Sequence, residues 1–122
     1  MEDIEEDKAR EERIDFEIVV DAYDETERAM GWHCYLDDNL NFPFKARCKE
    51  ERKISPLQPG ETVEVYAMAS EEDCQSEIFV MIRWNKRTLG IPLAQLEAVD
   101  ADEITVQSVE DWHYWVKRGY EF

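Results

Sequence analysis

The sequence has few cysteines, no long apolar run and no basic leader, and these absences exclude several classes of protein. Its three cysteines, Cys34, Cys48 and Cys74, lie at wide spacings without a CxxC pair, so neither a disulfide framework nor a zinc site is indicated. No apolar run approaches the about 20 residues that span a membrane, and the first residues are acidic where a signal peptide is basic and then apolar. We therefore expect reduced thiols, a cytoplasmic location and no membrane segment.

Catalytic motifs are also scarce. The chain has four glycines, and none of them belongs to a Gly-rich phosphate loop. The two histidines, His33 and His113, are far apart in sequence, and His113 lies between aromatic residues, which is more typical of packing or capping than of catalysis. Cys34 follows His33 directly, and because neighbours on a helix diverge by about 100°, the two cannot form a catalytic pair on one face. We expect no enzymatic activity.

Negative charge is what the sequence has in excess. The 122 residues include 30 Asp and Glu against 14 Lys and Arg, which gives a formal net charge of -16. Such a surface repels phosphate and anionic lipid, and it attracts divalent cations or basic proteins. We therefore expect no nucleic-acid partner and no membrane partner.

The apolar content, 43% of the residues, is sufficient for one folded domain. Residues 1–12 mix acids with Lys8 and Arg10 and carry one large apolar residue, Ile4, so we predict a frayed or solvated helical lead-in there. Residues 13–122 then form the single domain.

Hydrophobic spacing predicts a helical arm followed by short strands. The arm, from residue 13 to about residue 36, is a helical hairpin or one kinked helix, and Asp24 or Thr26 caps its second part. The strands either alternate apolar and polar residues or are apolar throughout. We place them at residues 44–48, 62–69, 78–84, 88–91 and 104–106.

The C-terminal part of the chain completes this pattern. Residues 92–96 predict a single helical turn, and the final helix has Ser108 as its cap, Asp111 three residues on, and Gly119 just beyond its end. Together the elements favour an α+β fold, a small SH3-like antiparallel β-barrel with an N-terminal helical arm and a C-terminal helix.

The stretch between the helical arm and the first strand is the first candidate site. Its oxygen-bearing residues are Asp37, Asp38, Asn39 and Asn41. A loop that curls around one centre would aim several of these oxygens at a hard cation such as calcium, which takes about 6 to 8 oxygen ligands. An EF-hand loop starting at Asp37 would need glycine where Phe42 stands and glutamate where Cys48 stands, so that motif fails. The alternative is that these residues cap the helix and turn the chain.

Two further clusters leave a similar choice. Asp100, Asp102 and Glu103 offer three carboxylates to one cation, although local solvation is the commoner reason for such a turn. A group of aromatic residues near the C-terminus is either a ligand platform or a buried helix face, and the buried face is the commoner arrangement. These aromatic residues are Trp112, Tyr114, Trp115, Tyr120 and Phe122.

Four blocks of the sequence resemble a known family. They are Ala29-Met30-Gly31-Trp32, Leu40-Asn41-Phe42-Pro43-Phe44-Lys45-Ala46-Arg47-Cys48, Pro92-Leu93-Ala94-Gln95-Leu96-Glu97 and Asp111-Trp112-His113-Tyr114-Trp115. From about Arg13 to Phe122 the chain is similar to the small acidic calcium-binding proteins of cyanobacteria, the CcbP type. The resemblance implies a cytosolic protein that binds Ca2+ without EF-hands and acts as a calcium buffer or sequestering protein in calcium signalling.

The resemblance favours the metal interpretation of both acidic segments. For the first site we infer side-chain ligands from Asp37, Asp38 and Asn41, with Asn39 supplying a side chain or a carbonyl. For a weaker second site we infer Asp100, Asp102 and Glu103. We expect a monomer whose partner is the calcium ion, and the sequence leaves a regulatory protein partner open.

The alternative function is an acidic interaction module that docks a basic protein or mimics the charge of a nucleic acid. Salt distinguishes the two functions, because a few tenths molar salt shortens the screening length to several Å and weakens charge mimicry far more than ion coordination.

Overall fold

The computed structural model describes residues 7–122, which form three α-helices and a five-stranded antiparallel sheet. The helices are α1 (Lys8–Arg13), α2 (Glu25–Asn39) and α3 (Glu103–Lys117), and a π-helix (Ile14–Ile18) continues α1. The strands are β1 (Phe44–Cys48), β2 (Thr62–Met68), β3 (Phe79–Trp84), β4 (Arg87–Pro92) and β5 (Leu96–Val99), and a 3-10 turn (Leu93–Gln95) separates the last two. The α+β class is confirmed.

The sheet has the strand order β4-β3-β2-β1-β5, and every neighbouring pair is antiparallel. Alternation places one face of each strand in the core, as in β1, where Phe44, Ala46 and Cys48 are buried while Lys45 and Arg47 are exposed. Within residues 7–122, β4 and β5 stand at opposite edges and do not pair. The predicted closure into an SH3-like barrel is therefore not confirmed.

Helices α2 and α3 pack together on the sheet through an aromatic core. Trp32 of α2 is fully buried, and its ring centroid lies 5.0 Å from that of Trp112 and 5.5 Å from that of Trp115 on α3. Trp112, Tyr114 and Trp115 all keep less than a tenth of their surface exposed. For these three residues of the aromatic group the interpretation as a buried helix face is confirmed, since such rings bury large apolar areas.

Helix α3 begins at Glu103, and its cap, Asp102, lies six residues before the predicted cap, Ser108. The prediction of a strand at residues 104–106 is wrong, and so is the assignment of Ser108 as the cap, because Asp102 caps the helix by accepting a 2.8 Å hydrogen bond from the Thr105 N–H. Thr105, Ser108 and Val109 are buried on the face that meets the core. Helical spacing of buried residues thus outweighs the β-propensity of this segment.

The N-terminal lead-in contacts α3. Asp7 caps α1, the carboxylate of Glu11 accepts hydrogen bonds from the Tyr114 and Tyr120 hydroxyls, and Arg13 forms a bidentate ion pair with buried Asp111. The described part of the lead-in is therefore the cap and body of helix α1, which is attached to α3, while the prediction for residues 1–6 lies outside the described part of the chain. None of the helices in that part is long and apolar enough to cross a membrane.

The predicted helical arm is a bent pair of helices. Asp24 caps α2 by accepting a 2.8 Å hydrogen bond from the Glu27 N–H, as predicted. Gly31 of α2 lies against the end of the π-helix so closely that a Cβ atom there would overlap the Ile18 carbonyl oxygen. The close approach packs the middle of α2 directly against the backbone at the end of the π-helix.

Candidate metal centre

The first predicted site is divided between a helix end and the turn after it. Asp37, Asp38 and Asn39 belong to the last turn of α2, and only Asn41 lies beyond it. The prediction of one loop curling around a centre is therefore wrong in its geometry, because alternate residues on a helix point in different directions. Asn39 donates a 2.8 Å hydrogen bond from its amide nitrogen to the Tyr35 carbonyl oxygen, which leaves its own amide oxygen available to a cation.

The C-terminal end of α2 carries negative charge, whereas positive charge at that end stabilises a helix. The last turns of α1 and α3 hold basic residues, whereas the last turn of α2 holds none and instead carries Asp37 and Asp38. Both carboxylates are exposed and lie where the helix dipole and its unsatisfied carbonyl groups are negative. A bound cation would remove this repulsion.

Asp38 and Asn39 line a cleft of about 370 Å³ between α2, the π-helix and α3, which we call the Asp38 cleft. Its other oxygen-bearing groups include Glu17, Tyr35 and Gln107. The Tyr35 hydroxyl donates a 2.8 Å hydrogen bond to Asp111. The pKa of Tyr35 is raised, and burial of its hydroxyl is the largest cause. Tyr35, which lines the Asp38 cleft, is thereby hydrogen-bonded to the same carboxylate that pairs with Arg13.

Asn41 joins the two predicted sites. Its amide nitrogen donates a hydrogen bond to the Asp102 carboxylate, and its backbone N–H donates to the Thr105 hydroxyl at 3.0 Å. Asn41 therefore lies with the second acidic segment rather than with Asp37. The two segments are 61 residues apart in sequence, and the fold brings them together at the start of α3.

Asn41, Asp100 and Asp102 line a second cleft, of about 460 Å³, which we call the Asn41 cleft. Hydrogen bonds lower the Asp102 pKa, first those from the Thr105 hydroxyl and N–H and then that from the Asn41 amide. The carboxylate is therefore ionised at neutral pH. Since a carboxylate accepts about four hydrogen bonds or ligands, Asp102 can cap α3 and still face a cation. The remaining lining residues are Pro43, Phe44, Lys45, Glu64, Ala101 and Thr105.

The donor atoms of both clefts suit calcium better than a softer metal, since they are carboxylate, amide and hydroxyl oxygens. In residues 7–122, however, no three His, Cys, Asp or Glu side chains converge as a ready metal cage. Each cleft would have to complete its coordination with amide and backbone oxygens or water. Lys45 also lines the Asn41 cleft, where its charge opposes a cation.

The clefts include residues that the sequence did not indicate and omit two that it did. Asp37 and Glu103 are exposed and line neither cleft. Glu64, Thr105 and Glu17 line a cleft but were not predicted as site residues. For Glu64 the only available signal was strand register, since it lies directly opposite Lys45 in the β1–β2 pair.

The histidines are used in packing. The His113 Nε2 atom lies 2.5 Å from the Leu96 carbonyl oxygen, and the His33 Nε2 atom lies 2.8 Å from that of Ala69. Burial and the neighbouring charge of Lys49 lower the pKa of His113 to about 4. Its imidazole is therefore neutral at physiological pH and, as predicted, packs against the protein backbone.

Comparison with known proteins points in the same direction. A family model described as calcium binding, of the CcbP type, matches residues 12–116. The crystal structure of Anabaena CcbP is similar over 100% of both chains, with 41% sequence identity and a TM-score of 0.88. A calcium-binding protein in the calcium-binding form is similar over the same extent, with 40% identity and a TM-score of 0.86. A comparison with curated proteins gives no match.

Proposed function

Because the chain belongs to the CcbP-type calcium-binding family, we propose that it acts as a cytosolic calcium buffer without EF-hands. The family is one of calcium-binding proteins rather than of enzymes. Buffering requires that the protein take up and release the ion near its free concentration, and it needs no catalytic group. In this proposal the protein is a monomer and Ca2+ is its ligand.

The observation that carries the proposal is the acidic C-terminal turn of α2. A helix end with two exposed carboxylates and no basic residue is unfavourable for the free protein and favourable for a divalent cation. The net charge of -16 adds a long-range attraction that raises the local calcium concentration. The protein therefore gains more from binding a cation here than at an ordinary helix end.

We place one ion in the Asp38 cleft and a second in the Asn41 cleft. Asp38 and Asn39 supply the side-chain oxygens of the first site, while Asn41, Asp100 and Asp102 supply those of the second. Asp37 and Glu103 complete the proposed set as exposed carboxylates at the edges of the two sites, where they reach the ion through water. With few charged protein ligands per ion, each site would bind calcium weakly.

The chain beyond the acidic turn supports a site without an EF-hand. An EF-hand loop continues into a second helix, whereas here the turn leads into strand β1. Coordination would therefore come from two distant segments held together by the fold rather than from one continuous loop.

Calcium titration of charge-matched variants tests the two sites. We expect Asp38→Asn and Asp100→Asn each to lower calcium affinity about tenfold at one site, since each removes a charged ligand. Glu51→Gln removes the same charge from an exposed loop position and should change affinity far less. If all three variants titrate alike, calcium responds only to net charge and neither cleft holds it.

The alternative, docking of a basic protein, is favoured by a different surface. Glu25 and Glu121 line a cleft of about 370 Å³ together with the edges of the buried rings of Trp112, Trp115 and Phe122. Acidic side chains at such a cleft attract basic side chains. Binding of this kind would disappear as salt rises to a few tenths molar, whereas coordinated calcium would persist.

A further inference from the structure

The cleft around His113 combines cationic groups with an apolar wall, although the protein as a whole is strongly acidic. It has a volume of about 390 Å³ and lies between strand β5 and helix α3, and Lys49 and Lys117 are among its lining residues. A volume of this order, above about 300 Å³, is typical of small-molecule sites. We call it the His113 cleft.

The two carboxylates in the His113 cleft already have cationic partners. The Glu97 Oε1 atom lies 2.9 Å from the Arg47 Nε atom, and the Glu110 Oε2 atom lies 3.6 Å from an Arg10 nitrogen. Lys49 and Lys117, by contrast, have no carboxylate within ion-pair distance in residues 7–122. The free positive charge of the cleft therefore belongs to these two lysines.

The lysines also repel each other. Burial of the Lys49 ammonium is the main cause that lowers its pKa, and the Lys117 ammonium beside it lowers that pKa further. Glu50 and Glu97 raise the Lys49 pKa and so offset part of this repulsion, and an anion bound by both lysines that line the cleft would offset more of it. Lysine is a common point-charge ligand of phosphate groups.

We propose that the His113 cleft binds a small molecule through a phosphate group, with the Lys49 and Lys117 ammonium groups holding the anionic oxygens. Ala98, Val106 and Val109 form the apolar wall beside them and would cover an apolar body attached to the phosphate. The His113 cleft shares no lining residue with the Asp38 cleft or the Asn41 cleft. Its proposed ligand is an anion, whereas theirs is a cation.

The pKa of His113 should change when an anion binds in the cleft. Its pKa of about 4 is lowered by burial and then by Lys49, with a smaller contribution from Lys117, while the Leu96 carbonyl oxygen and Glu97 raise it. Arg10 and Glu110 also line the cleft. A bound phosphate would neutralise the two lysines and add negative charge, so it should raise the pKa of His113 by about one unit.

The test is an NMR titration of the His113 imidazole in buffer containing a calcium chelator, at constant ionic strength. Inorganic phosphate and phenyl phosphate are added separately, because stronger binding of phenyl phosphate would indicate an organic ligand and equal binding would indicate the free ion. We expect saturable shifts and a raised His113 pKa. Because the chelator removes calcium, failure of this test would leave the calcium proposal intact.

Matched variants distinguish a built site from general charge. Lys49→Gln and Lys117→Gln should each weaken binding about tenfold, whereas Lys86→Gln, which removes an exposed lysine from the β3–β4 turn, should leave it unchanged. The proposal is overturned if neither phosphate compound shifts the His113 signals, or if Lys86→Gln weakens binding as much as the other two variants.

Discussion

Asp102 performs two tasks at the residue scale, since it caps α3 and lines the Asn41 cleft. The Asp102→Asn and Asp102→Ala variants separate these tasks. Asparagine caps a helix as well as aspartate does, so Asp102→Asn should keep the urea midpoint of the calcium-free protein close to wild type, and Asp102→Ala should lower it. Both variants should lose calcium affinity about tenfold. Wild-type calcium binding by Asp102→Asn would show that the residue is only a cap.

His113 gives the protein a specific dependence on pH. Its pKa is about 4 in the folded chain against an ordinary value of 6.5, so between these values the unfolded chain binds a proton that the folded chain does not. The free energy of unfolding should therefore fall as pH drops from about 6.5 to about 4, by up to about 3 kcal/mol from this group.

Urea unfolding of wild type and His113→Gln at several pH values measures this contribution. The carboxylates titrate in both proteins, so the difference between the two curves isolates His113. We expect wild type to lose more stability than the variant over this interval. Parallel curves would contradict the lowered pKa.

At the scale of the element, the contact between α2 and the π-helix depends on a missing side chain. Because a Cβ at Gly31 would overlap the Ile18 carbonyl oxygen, Gly31→Ala should destabilise the protein by about 1 to 3 kcal/mol in urea unfolding. Gly90→Ala is the matched control, since its Cβ would meet only the Met81 sulfur at 3.8 Å. Equal stability of the two variants would show that α2 can shift without cost.

Elements whose apolar and polar residues follow one clear period could be predicted from sequence. Elements in which residue propensity and burial favour different structures could not. Strand β1 alternates strictly, and its bounds match the prediction. At the start of α3, the β-branched residues Ile104, Thr105 and Val106 favour a strand. Burial of Thr105 and the cap at Asp102 decide the outcome, and both depend on tertiary packing.

The candidate site was predictable as residues but not as an arrangement. Acidic and amide residues marked both segments, yet no local pattern indicated that Asn41 would bond to Asp102 rather than lie beside Asp37. That pairing results from the direction in which β1 leaves α2 and from the antiparallel pairing of β1 with β5. Glu64 enters the same cleft through the pairing of β1 with β2.

At the scale of the whole molecule, the net charge of -16 destabilises the compact state through self-repulsion. Calcium would relieve this repulsion, and because only the fold brings Asn41 to Asp102, it should stabilise the folded protein. At a free concentration about 100 times the dissociation constant, the expected gain in the free energy of unfolding is about 2.7 kcal/mol. The charge therefore links calcium binding to folding stability.

The most direct test of the calcium proposal is calorimetric titration of chelator-stripped protein with calcium, repeated in millimolar magnesium. Magnesium demands near-octahedral geometry and loses its water reluctantly, whereas calcium accepts irregular oxygen sites. We predict saturable calcium binding that magnesium reduces only slightly. Weak binding that magnesium abolishes would show that calcium interacts with a diffuse acidic surface, and would contradict the assignment of calcium to the two clefts.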